Sequence, residues 1–280
     1  MRNLKKGAYR RLFLLPACLL PLATLAETAC PAEHVDEYSR VKYVHDGDTV
    51  HLEDGRKIRL IGINTPELAR DSMPEQARAQ AARAFLAKVL SVHGNRVGLV
   101  YGRERHDRHR RTLAHLFSPE GDNVQAQLLQ QGLAAAIAHP PNLAYSDCYA
   151  QQEWAARCAG RGIWSDPEHA ALRADDLGPG DRGFQRVSGR VERVSQSDRG
   201  VWLFMSDLMI AIRDDDMDHF NRAALLSLQG RHLTVRGWLH PSSRKKSGKK
   251  SYHNRSANYF MRIRHPSAIE TMQADSDSKC

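Results

Sequence analysis

The fold is decided by residues 44–67, which read VHDGDTVHLEDGRKIRLIGINTPE. Within this stretch, Thr49–Leu52 and residues 57–63 alternate apolar and polar side chains, as strands with one buried face do. The turn between them contains Gly55, which can adopt the positive φ that a tight hairpin turn requires. The stretch therefore predicts a β-hairpin.

Polar side chains lie at both rims of this hairpin, before its first strand, inside its second strand and directly after it. They are Asp46, Asp48, Arg59, Asn64, Thr65 and Glu67. Because a short hairpin brings its two ends together, we expect these groups to converge on one small cleft. Oxygen ligands next to an arginine and a carboxylate suit a hard cation and an anionic substrate.

The flanking sequence predicts three more strands and three helices. The expected strands are 40–44, 97–101 and Thr112–Phe117. The expected helices follow a capping box at residues 72–75 and cover 124–131 and about 146–159.

Four ordered blocks in this part of the chain resemble the staphylococcal nuclease family. They are DGDTV…IRL…TPE within 46–67, DRHRRTLA at 107–114, QGLA at 131–134 and GIW at 162–164. Their order and spacing fit that family over residues 39–166. The resemblance implies a mainly β, α+β domain: an OB-fold barrel of five strands with three helices.

The resemblance also implies a nuclease that depends on Ca²⁺, with a role for each matched position. The residues matched to metal-binding positions are Asp48, Asn64, Thr65 through its carbonyl, and Asp46 through water. The residues matched to catalytic positions are Arg59 and Arg111, which would clamp the phosphate, and Glu67, which would orient or deprotonate the attacking water. The residues expected to contact substrate beside them are Arg108, His109 and Arg110.

Three departures from the family pattern affect these expectations. Asn64 stands where the family's prototype carries an aspartate, so the site lacks one negative charge and should bind Ca²⁺ more weakly. His109 and Arg110 replace a Tyr-Gly pair, which adds a cation beside the phosphate site. Residues 136–139 lack the base-stacking tyrosines of the prototype, so base preference does not carry over.

The second half of the chain predicts another barrel. Residues 167–183, rich in Asp, Ala, Gly and Pro, indicate a linker, and 184–270 resemble a smaller OB-like domain with five strands and a helix after the third. Residues 271–280 indicate a polar tail. The loop before the last strand carries five cations in seven residues, which favours either a grip on single-stranded nucleic acid or a solvated connection. The substrate contacts expected in this loop are Lys245, Lys246, Lys249 and Lys250.

The first 26 residues predict a secretory signal peptide. Five basic residues precede an apolar run that ends in small residues, with cleavage expected after Ala26 and a short segment, 27–38, before the first domain. The leader has no acidic residue, so the mature chain keeps about +4 of the formal +9. We therefore expect a secreted or periplasmic protein whose charge is compatible with nucleic-acid binding.

Export permits disulfides among the cysteines that remain. Cys148 and Cys158 lie in one predicted helix, ten residues and about 15 Å apart along its axis, which is too far for a disulfide. We expect Cys30 to pair with one of these two; otherwise the cysteines are buried thiols. Cys280 lies in the polar tail.

Together these features predict an exported Ca²⁺-dependent nuclease that acts on DNA or RNA, with single strands as its expected partner and no protein partner inferred. One alternative is a module with the nuclease fold that binds nucleic acid without catalysis. Asn64, in place of the prototype's aspartate, is the residue that would indicate this loss of catalysis. A second is a cell-envelope protein that uses two OB barrels to bind proteins or sugars. Retention of Arg59, Glu67 and Arg111 favours the enzyme over the pure binder.

Overall fold

The computed structural model describes residues 29–69, 74–242 and 257–270. Its first half is a closed five-stranded barrel, with strands in the order β1-β2-β3-β6-β5. The strands of this half are β1 (Glu37–Val44), β2 (Thr49–Leu52), β3 (Lys57–Leu60), β4 (Ile63–Asn64), β5 (Arg96–His106), β6 (Thr112–Phe117) and β7 (Ala135–Ala136). Its helices are α1 (Ala79–Val92), α2 (Val124–Gln130) and α3 (Ser146–Cys158).

The predicted hairpin is confirmed. Strands β2 and β3 pair antiparallel, and Gly55 in their turn has φ of 91°. Val50 and Ile58 are paired across the hairpin and completely buried, whereas Lys57 on the other face is exposed. The alternation read from the sequence is therefore the inside–outside alternation of the barrel wall. Strand β3 also pairs parallel with β6, which closes this side of the barrel.

The predicted start of the first helix is wrong. Helix α1 begins at Ala79, after Arg78 in a left-handed conformation (φ 70°), and residues 74–76 are not helical. Residues 72 and 73 of the capping box lie outside the described residues. The Gln76 amide N–H donates to the Glu67 carbonyl at 3.0 Å, and the Gln76 side chain accepts from the Glu67 amide at 2.8 Å. These bonds close a loop behind the predicted site, and so they compete with an earlier start of the helix.

The second half forms a seven-stranded sheet in the order β10-β11-β12-β14-β13-β9-β8. Its elements are β8 (Leu172–Arg173), β9 (Gly183–Arg190), β10 (Arg193–Ser197), β11 (Gly200–Met205), β12 (Leu208–Arg213), α4 (Arg222–Leu226), β13 (His232–Pro241) and β14 (Tyr259–Arg262). Only Val191 and Glu192 separate β9 from β10, so one bent stretch pairs with β13 on one side and with β11 on the other. Strands β12 and β14 are parallel, as β3 and β6 are in the first barrel. The strand order therefore matches the first barrel, which confirms the expected OB-like domain.

The stretch predicted as a linker, 167–183, contains β8 and two 3₁₀ turns. Ala174 within it is buried in the core of the second barrel. The domain boundaries themselves stay predictions. No helix among the described residues is both long and apolar enough to cross a bilayer.

Cys30 pairs with Cys148, with Cα atoms 5.7 Å apart. This is one of the two pairings expected, and it confirms that Cys148 and Cys158 do not bond to each other. The disulfide attaches the segment before β1 to helix α3. Asn123, the N-cap of α2, supports the same corner by donating to the Cys30 carbonyl at 3.1 Å.

Candidate active site

The turn that enters the hairpin places two buried carboxylates side by side. The Asp48 amide donates to Asp46 Oδ1 at 3.0 Å, and both side chains are buried. Gly47 between them packs so closely that a Cβ there would lie 2.7 Å from Thr65 Oγ1 and 2.8 Å from the Ala82 side chain. A glycine is therefore required for this turn to reach the Thr65 segment.

Asp48 is the centre of the site. Its carboxylate lies 3.0 Å from Arg59 Nη2 and accepts hydrogen bonds from the Thr65 amide at 3.2 Å and from Thr49 Oγ1 at 3.1 Å. Burial raises the pKa of Asp48 to about 6, opposed by Arg59 and reinforced by the charge of Asp46. Burial therefore outweighs the contact with Arg59 and disfavours the charged form of Asp48.

Arg111 reaches the same centre from the other side. Its Nη1 donates to Thr49 Oγ1 at 3.4 Å, and Thr49 is paired in register with Arg59. Its Nε donates to Asp107 Oδ2 at 2.7 Å, which orients the guanidinium. Burial would raise the pKa of Asp107, but hydrogen bonds from Arg111 and His109 outweigh it and lower that pKa. Two guanidinium groups therefore converge on the segment formed by Asp48 and Thr49.

The orienting role of Asp107 was not foreseen, although Asp107 stands in one of the four quoted blocks. The signal was present in the sequence. An acidic residue four positions before an arginine, across a tight turn, can accept hydrogen bonds from both the backbone amide and the side chain of that arginine. Asp107 Oδ1 accepts from the amides of His109 and Arg111, at 2.8 and 2.9 Å.

Asn64 and Thr65 lie on and just after β4, next to Asp48. The Asn64 side-chain amide donates to the Thr65 carbonyl at 3.4 Å, and the Thr65 amide in turn donates to Asp48. The described residues contain no cluster of three or more His, Cys, Asp or Glu side chains suited to a metal. The ligand set predicted from the sequence is not a cluster of that kind, because two of its four members are the Asn64 amide oxygen and the Thr65 main-chain carbonyl.

Glu67 is exposed, and its charge contributes to raising the pKa of Asp48. Arg108, His109 and Arg110 are also exposed, in the turn that leads to Arg111. Arg108 Nε lies 3.0 Å from His109 Nε2, so these two side chains face each other. The predicted contacts at Lys245, Lys246, Lys249 and Lys250 lie outside the described residues.

The second barrel docks against this domain through a buried ion pair and an arginine–histidine hydrogen bond, which sequence reasoning missed. Arg236 on β13 contacts both carboxylate oxygens of Glu153 on α3, at 2.8 and 2.6 Å. Arg264 Nη1 bonds His139 Nε2, in the region that lacks the stacking tyrosines. Burial, helped by Arg264, lowers the pKa of His139 to about 4, so the imidazole is neutral near pH 7. No local pattern signals such pairs, because each joins residues about 80 or more positions apart.

Comparison with known proteins agrees with the barrel architecture. A family model described as staphylococcal nuclease homologue matches residues 57–166. The thermonuclease of Staphylococcus intermedius is 38% identical over 128 residues, which cover 44% of this chain and 74% of that relative. The thermonuclease of Staphylococcus hyicus is 32% identical over 130 residues (45% and 75%), and an uncharacterized endonuclease of Escherichia coli is 31% identical over 141 residues (49% and 84%). A closed barrel with paired arginines beside two carboxylates, together with these relatives, places the chain in the staphylococcal nuclease family, as a nuclease that hydrolyses phosphodiester bonds.

Proposed function

We propose that this protein is an exported, Ca²⁺-dependent nuclease in which Arg59, Arg111 and Glu67 carry the chemistry. The observation that carries the proposal is the convergence of the two guanidinium groups on Asp48 and Thr49. Paired arginines match the geometry of a phosphate, which a single exposed strand arginine does not.

The oxygen set beside the arginines fits a hard cation. Asp46 and Asp48 supply two buried carboxylates, and Asn64 and the Thr65 carbonyl supply neutral oxygens. Ca²⁺ prefers ligands of these kinds, and a bound cation would favour the charged form of Asp48, whose pKa burial raises. When bound, Ca²⁺ would polarise the phosphate and neutralise part of its charge.

The chain's own groups then divide the remaining work. Arg59 and Arg111 hold the phosphate and stabilise the negative charge that builds up on its oxygens in the transition state. Glu67 orients a water molecule and accepts its proton as the water oxygen bonds to phosphorus and the ester oxygen leaves. The exposure of Glu67 suits this role, because the attacking water comes from solvent.

Export and the preference for single strands are part of the same proposal. Residues 1–26, which read as a signal peptide, lie outside the described residues. The Cys30–Cys148 disulfide supports an oxidising compartment such as the periplasm or the medium. Single strands are proposed because the appended barrel has the topology that often binds them.

The test is digestion of plasmid and single-stranded DNA and RNA by the mature protein with Ca²⁺, Mg²⁺ or chelator. Replacing Glu67 with Gln should lower turnover by about 10²- to 10⁴-fold with little change in substrate affinity. Arg199→Ala, at an exposed turn of the second barrel, is the matched control and should cleave normally. Full activity of the Glu67→Gln variant would remove Glu67 from the mechanism. Binding without cleavage by the unmodified protein would favour the binding module.

A further inference from the structure

A row of aromatic side chains lies on the outer surface of the first barrel, next to the cleft. The rings of Tyr43 and His51 have centroids 4.4 Å apart and an interplanar angle of 32°. His45 continues the row, 5.7 Å from His51 at 33°. Tyr43 is 45% exposed and the His45 side chain 44% exposed, so two of the three rings present large surfaces to solvent.

Strand register places this row beside the phosphate site. Tyr43 on β1 pairs with His51 on β2, and His51 pairs with Lys57 on β3. The next pair on the same face is Thr49 with Arg59, two residues along the strands. A strand rises about 3.3–3.4 Å per residue, so the row begins about 7 Å from the Arg59 position. His45 approaches the site directly, with Nε2 4.0 Å from Asp46 Oδ2.

The charges around these three rings suit contact with an uncharged, planar group that lies next to a phosphate. Burial lowers the pKa of His51, and Lys57 and His45 lower it further against the opposing charge of Asp46. His51 is therefore a neutral ring near pH 7. Lys57, its cross-strand neighbour, is exposed and supplies a cation at the edge of the row.

We propose that Tyr43, His45 and His51 form a stacking platform for the bases of a single-stranded segment of the substrate next to the scissile phosphate. The proposal rests on the proposed function, because it assumes that the phosphate lies between Arg59 and Arg111. Each base offers a π-face, so the platform accepts any sequence, and Lys57 holds a neighbouring phosphate. Aromatic cross-strand pairs also stabilise sheets, and the test separates the two roles.

The experiment measures binding of fluorescent single-stranded oligonucleotides in chelator, where Ca²⁺-dependent cleavage is suppressed. Tyr43→Ala and His51→Ala should each weaken binding by about 5- to 100-fold, the range for one lost stacked base. Tyr43→Phe should restore binding, because the ring remains. The slope of log affinity against log salt should not change, since no phosphate contact is lost.

Tyr38→Ala is the matched control. Tyr38 lies on the same strand and is 50% exposed, but it faces β5 under Arg96, whose Cζ is 5.2 Å from the ring centroid. The Tyr38→Ala variant should bind oligonucleotides with the affinity of the native protein. A second control uses an oligonucleotide with abasic sites at the positions next to the cleavage site. The native protein should bind the abasic oligonucleotide as weakly as the Tyr43→Ala variant binds the intact strand. The affinity of the Tyr43→Ala variant should be the same for the abasic and the intact strand.

Two results would overturn the proposal. One is equal affinity of native protein and Tyr43→Ala for intact strands, with both folded by circular dichroism. The other is an equal loss of affinity for intact and abasic strands on Tyr43→Ala, which would mean that the aromatic row only stabilises the sheet. Cleavage of methyl 4-nitrophenyl phosphate, which carries no base, tests the chemistry separately. If the native protein does not cleave that ester but Tyr43→Ala still weakens binding of intact strands only, the catalytic assignment is refuted and the stacking platform stands.

Discussion

The interface between the barrels should depend on the buried ion pair of Arg236 and Glu153, and the change that tests it is Arg236→Met. The two side chains are 6% and 4% exposed. Glu153 Oε1 also accepts from the Ala136 amide at 2.9 Å, so the carboxylate is held on both sides. Methionine removes the guanidinium with little loss of volume and leaves a buried carboxylate whose cationic partner is gone.

The expected cost is about 3–5 kcal/mol of unfolding free energy, the range for breaking a buried pair by removing one partner. For a chain of this size that corresponds to a fall in Tm of about 6–20 °C. Guanidinium chloride unfolding of the mature protein, followed by tryptophan fluorescence, gives the free energy directly. Adding Glu153→Gln to Arg236→Met should recover much of the loss, because a neutral amide replaces the stranded charge.

Arg173→Met is the control. Arg173 pairs with Asp175 and Asp176 at the surface, where its side chain is 69% exposed, and its loss should cost no more than about 1 kcal/mol. A cost of Arg236→Met below about 1 kcal/mol would refute the reasoning.

Three further changes test other parts of the molecule. Asn64→Asp restores a carboxylate beside Asp48 and should tighten Ca²⁺ binding in calorimetry; unchanged affinity would mean that Asp46 already supplies that charge. Changing Lys245, Lys246, Lys249 and Lys250 together to Ser should weaken binding of long single strands and flatten the salt slope by about 0.7 per lost phosphate contact. The rate at saturating substrate should stay the same, and equal binding would leave the loop as a solvated connection. Burial lowers the pKa of His115 to about 3, so the protein should lose stability as pH falls below about 6.5 toward 3. His115→Gln should make that fall shallower in unfolding titrations, and an unchanged slope would assign the acid sensitivity elsewhere.

The parts of the fold that local pattern controls were predictable. The hairpin, the strand Thr112–Phe117 and helix α3 follow from alternation, turn residues and helical spacing, each of which acts over a few residues. The grouping of Asp48, Arg59 and Thr65 was predictable for the same reason, since the hairpin itself brings these residues together.

What escaped prediction depends on contacts between distant parts of the chain. The sequence narrowed the partner of Cys30 to two cysteines, and the docking of α3 against the first segment selects Cys148. Helix α1 starts late because Gln76 is engaged by Glu67 across a loop. The salt bridge of Glu153 with Arg236 joins residues 83 positions apart, and neither residue has a sequence neighbour that signals it.

That salt bridge gives the second barrel a physical connection to the site. Glu153 holds the Ala136 amide on β7, and β7 pairs with β4, where Ala135 lies opposite Asn64. The next residue, Thr65, donates its amide to Asp48. The segment that carries two of the proposed metal ligands is therefore fixed at one end by the hairpin turn and along its side by a strand that Glu153 and Arg236 hold in place. Because ligand geometry for a cation is set by such supporting bonds, we expect the second barrel to contribute to the rigidity of the proposed metal site.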